Sequence, residues 1–180
     1  MKFKKTGFKK LPLYRPHLGS VMLSVCVALF LLFTSNRTFW SKINAYLAQE
    51  PVAIAMLYIA MSALFIAALT IFSAKYVIKP FFIFLVMTSA TASWFVDQFG
   101  VVIDSDMMRN AYQTTPAEAQ HLITWGFVGH LALFAFLPTG LILWVRVVHR
   151  PILGKIARNC AVVIGCMLVF AGAAFSYSAT

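Results

Sequence analysis

Acidic residues are scarce in this sequence: five of its 180 residues are Asp or Glu, against fifteen Lys and Arg. Charged residues make up 11% of the chain and hydrophobic residues 61%, whereas soluble domains are typically about half apolar and a quarter charged. This composition excludes an ordinary soluble domain. The three cysteines all lie inside apolar runs, so they imply no extracellular disulfide framework.

The motifs of common enzyme sites are absent as well. The chain has no glycine-rich phosphate loop, no cysteine pair and no Ser-His-Asp arrangement. Asp104, Asp106 and His121 could be imagined as metal ligands, but their spacing follows no known pattern. We therefore expect neither a metal nor another cofactor on these 180 residues. The basic N-terminal tail is explained by membrane topology and anionic lipids, so we expect no nucleic-acid partner.

What the chain has instead is five long apolar segments, at about 18–35, 52–74, 80–97, 122–146 and 160–177. A helix needs about 17–25 residues to cross the bilayer core, and backbone groups there must be satisfied internally. The alternating segments of about ten residues that a barrel requires are missing. The sequence therefore predicts an all-α membrane protein, in which residues 1–180 form a single transmembrane domain of five helices.

Charge sets the expected orientation. Twelve of the fifteen Lys and Arg residues fall in the N-terminal tail and in two loops on one side, and only Arg37, Lys42 and Arg109 fall on the other. The positive-inside rule then predicts a cytoplasmic N-terminus and an outward-facing C-terminus. On the outer side, helical spacing of apolar residues over 39–47, with Trp and Tyr, predicts a short interfacial helix. Pro138 and Gly140 predict a kink in the fourth span.

A polar window, residues 97–121, separates the third and fourth spans and contains four of the five acidic residues. Asp104 or Ser105 can cap a short helix within it. In that helix Asn110 and Thr114 lie four residues apart, so they share one face. Outside the window, His130 is the only ionisable residue well inside an apolar run. Such a residue is a functional candidate, although a neutral His satisfied by a neighbouring carbonyl is the commoner case.

Glu118 has two interpretations. Thr115, Pro116 and Glu118 fit a capping box, with Glu118 three residues after the cap. Alternatively, Asn110, Thr114 and Glu118 supply an amide, a hydroxyl and a carboxylate. That set suits a primary ammonium group and would repel a phosphate. Gln113 and His121 are possible secondary ligands.

The window also carries a resemblance. Its motifs are Phe99-Gly-Val-Val-Ile-Asp104, Met107-Met-Arg-Asn110 and Gln113-Thr-Thr-Pro-Ala-Glu118. They resemble the periplasmic loop of lipid A phosphoethanolamine transferases, the family of the mobile colistin-resistance enzymes, and the likeness extends over essentially all 180 residues. The resemblance implies five N-terminal membrane helices, then a linker and a periplasmic zinc-dependent domain that resembles alkaline phosphatase. That catalytic domain, with its zinc and nucleophilic threonine, is expected to be absent from this chain.

The resemblance also implies roles. Asn110, Thr114 and Glu118 would hold the ethanolamine head group of a phosphatidylethanolamine donor. The full-length enzyme would transfer phosphoethanolamine to lipid A in the bacterial inner membrane, and so confer polymyxin resistance. This chain alone would be inactive; its partners would be membrane lipids and its own C-terminal periplasmic domain. A different class of function stays open: a free-standing five-helix membrane protein, either a small transporter or a lipid-binding regulator, without catalysis.

Overall fold

The computed structural model describes residues 15–73, 76–100, 105–115, 121–148 and 152–178. Its helices are α1 Ser20–Thr34, α2 Arg37–Tyr46, α3 Pro51–Ile71, α4 Ile78–Phe99, α5 Ser105–Gln113, α6 Trp125–Leu131, α7 Leu137–Trp144 and α8 Ile152–Ser178. A π-helical segment, Ala132–Phe136, joins α6 to α7. Two short strands, β1 His17–Gly19 and β2 Arg146–Val148, pair in parallel.

Four stretches are long and apolar enough to cross a membrane: α3, α4, the continuous run Trp125–Trp144, and Ile156–Phe175 within α8. A fifth results if α1 and α2, which are bent by 64° relative to each other, form one broken span. The predicted all-α membrane fold is confirmed. The last helix begins at Ile152, eight residues before the predicted apolar segment. Polar residues, among them Arg158 and Asn159, occupy the beginning of this helix. A search for apolar runs therefore does not detect where the helix begins.

The core lies where α1 packs between α3 and α4. Leu23, Val27 and Leu31 of α1 meet Leu69 of α3 and Phe82 of α4, all almost fully buried. The α8 helix packs along α3, and the run from α6 to α7 packs along α4. Many large apolar side chains on the outer surface are exposed, which is the expected surface for a bundle solvated by lipid tails.

Three side chains donate to backbone carbonyls near the end of α1, where the bend to α2 begins. The last carbonyl groups of a helix have no partner within the helix. Asn36 Nδ2 donates to the carbonyl of Leu31 and Trp40 Nε1 donates to that of Leu32, both at 2.9 Å. The hydroxyl of Thr34 donates to the carbonyl of Phe30. The short helix predicted over 39–47 is therefore present as α2, and its own Trp40 holds it against the end of α1.

The distortion predicted near Pro138 takes the form of a π-helical turn. Proline lacks an N–H group and its ring crowds the carbonyl four residues earlier. The backbone accommodates it one turn upstream, where Leu137 N–H bonds to the carbonyl of Ala132, five residues back. The fourth predicted span, at 122–146, is thus two α-helices joined by a π-helical segment.

The parallel pairing of β1 and β2 joins the segment before α1 to the segment after α7. His17 is in register with Arg146, and Arg146 N–H donates to the carbonyl of Pro16 at 3.0 Å. The sequence did not predict these strands, because three residues are too few for a period-two pattern to be recognised. The pairing holds Arg15 close to Arg146 at the cation-rich end of the bundle.

Candidate functional site

The predicted helix within the polar window is present as α5, Ser105–Gln113. The side chains of Asn110 and Gln113 are exposed. Thr114, directly after the helix, donates its hydroxyl hydrogen to the backbone carbonyl of Asn110 at 2.8 Å. That bond commits the only hydrogen of the hydroxyl, so the free lone pairs of Thr114 Oγ1 can act only as acceptors. The structure therefore links the Thr114 hydroxyl to the backbone of Asn110 and leaves that hydroxyl able to accept a hydrogen bond.

The third predicted ligand, Glu118, lies outside the described residues, and so do Asp104 and the proline of the capping box. The cap and ligand interpretations of Glu118 both stay predictions. His121, one of the possible secondary ligands, is exposed just upstream of α6.

A second polar group lies at the same end of the bundle, where α2, α4 and α6 meet. Thr38 of α2 donates its hydroxyl to Asp97 Oδ1 of α4. The guanidinium carbon of Arg37 lies 5.6 Å from the ring centroid of Phe134. A cavity of about 130 Å³ opens here, lined by Thr34, Arg37, Trp94, Asp97, Gln98, His130 and Phe134. A neighbouring cavity of about 190 Å³ shares Asp97. The group thus presents one cation and one anion beside aromatic rings.

His130 is held by hydrogen-bonding groups of α4. Its Nε2 atom lies 3.1 Å from the carbonyl oxygen of Ala90 and 3.3 Å from Ser93 Oγ. Because a carbonyl only accepts, the hydrogen of the neutral ring lies on Nε2 in this arrangement. The rings of Trp94 and Phe134 flank the imidazole at 5.3 and 4.7 Å. The commoner case, a histidine satisfied by a neighbouring carbonyl, is the one the structure shows.

Sequence reasoning missed the contributions of Arg37 and Asp97. Arg37 entered only as a charge in the topology count, and Asp97 had no role. The signal was weak because Thr38 and Asp97 are 59 residues apart, and only the packing of α2 against α4 brings them together. Within the described residues, no group of three His, Cys, Asp or Glu side chains could hold a metal ion.

The comparison with known families decides the class of protein. The model of the family described as phosphoethanolamine transferase EptA/EptB matches residues 61–180, which is two thirds of the chain. The chain belongs to the EptA/EptB phosphoethanolamine transferase family. The resemblance carried by the polar window is therefore confirmed.

Two relatives from Escherichia coli are similar over most of the chain. The phosphatidylethanolamine transferase Mcr-1 is 32% identical over 148 residues, covering 79% of this chain and 27% of Mcr-1. The phosphatidylethanolamine transferase Mcr-2 is 33% identical over 158 residues, covering 87% of this chain and 29% of Mcr-2. The chain thus spans less than a third of the length of either transferase.

A solved structure shows the same fold. The lipooligosaccharide phosphoethanolamine transferase EptA from Neisseria meningitidis superposes with a TM-score of 0.84 at 22% identity, covering 91% of this chain and 31% of that one. The chain therefore corresponds to the N-terminal membrane domain of an EptA/EptB family transferase. These likenesses favour a transferase domain over a free-standing transporter or regulator.

Proposed function

We propose that this domain binds the ethanolamine head group of phosphatidylethanolamine and presents the lipid to a catalytic domain elsewhere in the full-length transferase. The observation that carries the proposal is the hydrogen bond from Thr114 Oγ1 to the backbone carbonyl of Asn110. A primary ammonium has three N–H donors and no acceptor, so it needs groups that only accept or can still accept. The Thr114 hydroxyl, the exposed Asn110 amide oxygen and the carboxylate of Glu118 would supply them.

The negative charge of Glu118 makes the proposed site selective. A carboxylate attracts the ammonium and repels the adjacent phosphate, so the head group would bind with its amine toward α5 and its phosphate away from it. Charge-assisted hydrogen bonds are stronger than neutral ones. Gln113 and His121, both exposed, are secondary candidates for contacts with the rest of the head group.

The remaining parts of the proposal concern the full-length protein. Its C-terminal periplasmic domain would contain the zinc and the nucleophile, and lipid A would be the acceptor. The protein would lie in the bacterial inner membrane with its N-terminus in the cytoplasm. In this orientation only three of the fifteen Lys and Arg residues (Arg37, Lys42 and Arg109) lie on the outer side. This bias in the positive charges supports the orientation. The 180-residue chain alone would not catalyse phosphoethanolamine transfer.

The test uses the full-length transferase in a bacterium that lacks its own phosphoethanolamine transferases. Lipid A is analysed by mass spectrometry in cells expressing Asn110→Ala, Thr114→Val or Glu118→Gln. Asn110→Ala and Thr114→Val each remove one acceptor, and Glu118→Gln removes the negative charge. Because a hydrogen bond to a charged group contributes about 1.5–3 kcal/mol, we expect modification to fall by about tenfold to a hundredfold. The Glu118→Gln substitution largely preserves capping, so it separates the ligand role from the structural one.

Two controls make the result specific. Tyr112→Phe alters the same helix at a side chain that is 92% exposed, and it should leave modification unchanged. Thr114→Ser keeps the hydroxyl and should keep most of the activity. With purified enzyme, phosphatidylcholine should fail as a donor, because its quaternary ammonium has no N–H to donate. If lipid A modification were unchanged in Glu118→Gln, the carboxylate would not be a ligand in the proposed site.

A further inference from the structure

The end of the bundle opposite the polar window contains a cavity lined by three cations. It has a volume of about 230 Å³ and is lined by Arg15, Ile78, Lys79, Leu143, Val145, Arg146 and Val147. Arg15 and Arg146 are exposed, and Lys79 is half-buried. The donor-lipid proposal uses none of these residues, and in the sequence they contribute only to the charge bias that predicts orientation.

Backbone contacts position two of the three cations, Arg146 and Lys79. Pairing of β1 with β2 fixes Arg146 at the start of its strand, two residues out of register with Arg15. Lys79 Nζ donates to the carbonyl oxygens of Leu143 and Val145 at 3.1 and 2.7 Å. Both carbonyls lie at the C-terminal end of α7, where a positive charge is favoured. Two of the three ammonium hydrogens of Lys79 are thus committed, and one is left for another acceptor.

Among the residues that the structure describes, no carboxylate lines this cavity. No Asp or Glu occurs in residues 1–49, 51–96 or 119–180. The two carboxylates whose side chains the structure describes are Glu50, just before α3, and Asp97, near the end of α4, and both lie at the opposite end of the bundle. Cations gathered around one cavity repel each other, and an anion in the cavity relieves that repulsion.

The apolar rim of the cavity favours a lipid over a free ion. Leu143 is 57% exposed and the adjacent Trp144 is 40% exposed, and tryptophan is enriched where hydrocarbon meets the head groups. The cavity is too small for a whole lipid, so a head group would occupy it while the acyl chains lie along the apolar surface of α7. Arginine guanidinium groups bind phosphate oxygens with two hydrogen bonds.

We propose that this cavity binds the phosphate of an anionic phospholipid, with Arg15, Lys79 and Arg146 as its ligands. The site is independent of donor binding: it selects negative charge, whereas the α5 site selects an ammonium group. The bound lipid would hold the paired strands β1 and β2 at the membrane surface. The lipid would act as a structural ligand at the end of the bundle away from the transfer chemistry.

The experiment measures lipid retention by native mass spectrometry of the full-length protein. The protein is equilibrated in detergent with equal amounts of phosphatidylglycerol, phosphatidylethanolamine and phosphatidylcholine that have the same acyl chains. We expect the wild type to retain phosphatidylglycerol preferentially and Arg15→Gln/Arg146→Gln to lower that preference at least fivefold. The matched control, Lys42→Gln/Arg109→Gln, removes two exposed cations at the opposite end and should keep the preference.

Further arms keep the proposal falsifiable if the glutamine variant fails to fold. Arg15→Lys/Arg146→Lys should keep most of the preference, and raising salt to about 1 M, where the screening length falls to about 3 Å, should weaken it in the wild type. No preference for phosphatidylglycerol, or an equal loss in the control variant, would overturn the proposal. Displacement of the lipid by millimolar inorganic phosphate would overturn the lipid assignment, because the cavity would then recognise phosphate alone.

Discussion

The rings of Trp40 and Tyr58 lie face to face, with centroids 3.9 Å apart and planes 8° from parallel. Phe33 completes the group, with its ring centroid 6.1 Å from that of Trp40 and 5.9 Å from that of Tyr58. The three rings come from α2, α3 and α1. This cluster, together with the hydrogen bond from Trp40 Nε1 to Leu32, fixes the direction in which α2 leaves the bend.

Trp40→Phe should therefore lower the stability of the bundle. The substitution keeps an aromatic ring but removes the indole N–H, so the Leu32 carbonyl loses its partner. Leaving such a buried group unsatisfied costs about 1–3 kcal/mol. Unfolding in SDS, followed by far-ultraviolet circular dichroism, measures the loss. Trp125→Phe is the matched control, because Trp125 is 91% exposed. An equal loss in both variants would show that the bend does not depend on this hydrogen bond.

Gly126→Ala should be destabilising, whereas Gly129→Ala on the same helix should not. A Cβ on Gly126 would lie 2.8 Å from Cη2 of Trp94, while one on Gly129 meets no atom within 4 Å. Trp94 has limited room to move because it packs against Phe127 and His130. Overpacking of this kind typically costs about 1–3 kcal/mol. Thermal unfolding in detergent compares the two variants, and equal melting temperatures would contradict the close packing of α6 on α4.

Gly100→Ala should cost about 1–2 kcal/mol, because a left-handed backbone crowds the Cβ of an L-residue. Gly100 ends α4 with φ of +64°, and its N–H bonds to the carbonyl of Val96. Gly100→Asn should cost less, since asparagine tolerates this conformation better than alanine does. The free energies of unfolding of the two variants test the order. A smaller cost for alanine than for asparagine would be inconsistent with this helix cap.

Thr38 and Asp97 should be energetically coupled. A double-mutant cycle with Thr38→Val and Asp97→Asn isolates their interaction from other effects of each substitution. Because Asp97 is exposed, solvent weakens the bond, and we expect a coupling of about 0.5–1.5 kcal/mol. A control cycle combines Thr38→Val with Glu50→Gln, which alters a second exposed carboxylate. In this control the two changes in the free energy of unfolding should simply add. A coupling of zero between Thr38 and Asp97 would show that the bond does not hold α2 to α4.

The helices could be predicted from the sequence to the extent that a single run of residues carries the signal. Apolar length predicts the spans, and the proline at 138 predicts a distortion. The form of that distortion depends on where the backbone can accept an extra residue per turn, which local sequence does not specify. The strands β1 and β2 escape prediction because their pairing joins residues about 130 positions apart.

The candidate site shows the same division. The four-residue spacing predicts that Asn110 and Thr114 lie together, and the Thr114 hydroxyl does bond to the Asn110 backbone, although Thr114 lies just beyond the end of α5. The cluster of Arg37, Asp97 and His130 draws on three helices, and no spacing in the sequence relates them. The cation-lined cavity is similar, because Lys79 joins Arg15 and Arg146 only through contacts at the end of α7.

The early bend after α1 has a consequence for the bilayer itself. A helix of 15 residues is about 22 Å long, shorter than the hydrocarbon core of about 30 Å. Hydrophobic mismatch of this kind is relieved by local thinning of the membrane. We expect the bilayer to be thinner beside α1 and α2, with head groups drawn toward the mid-plane there. The domain would then shape the surface of the bilayer that surrounds it.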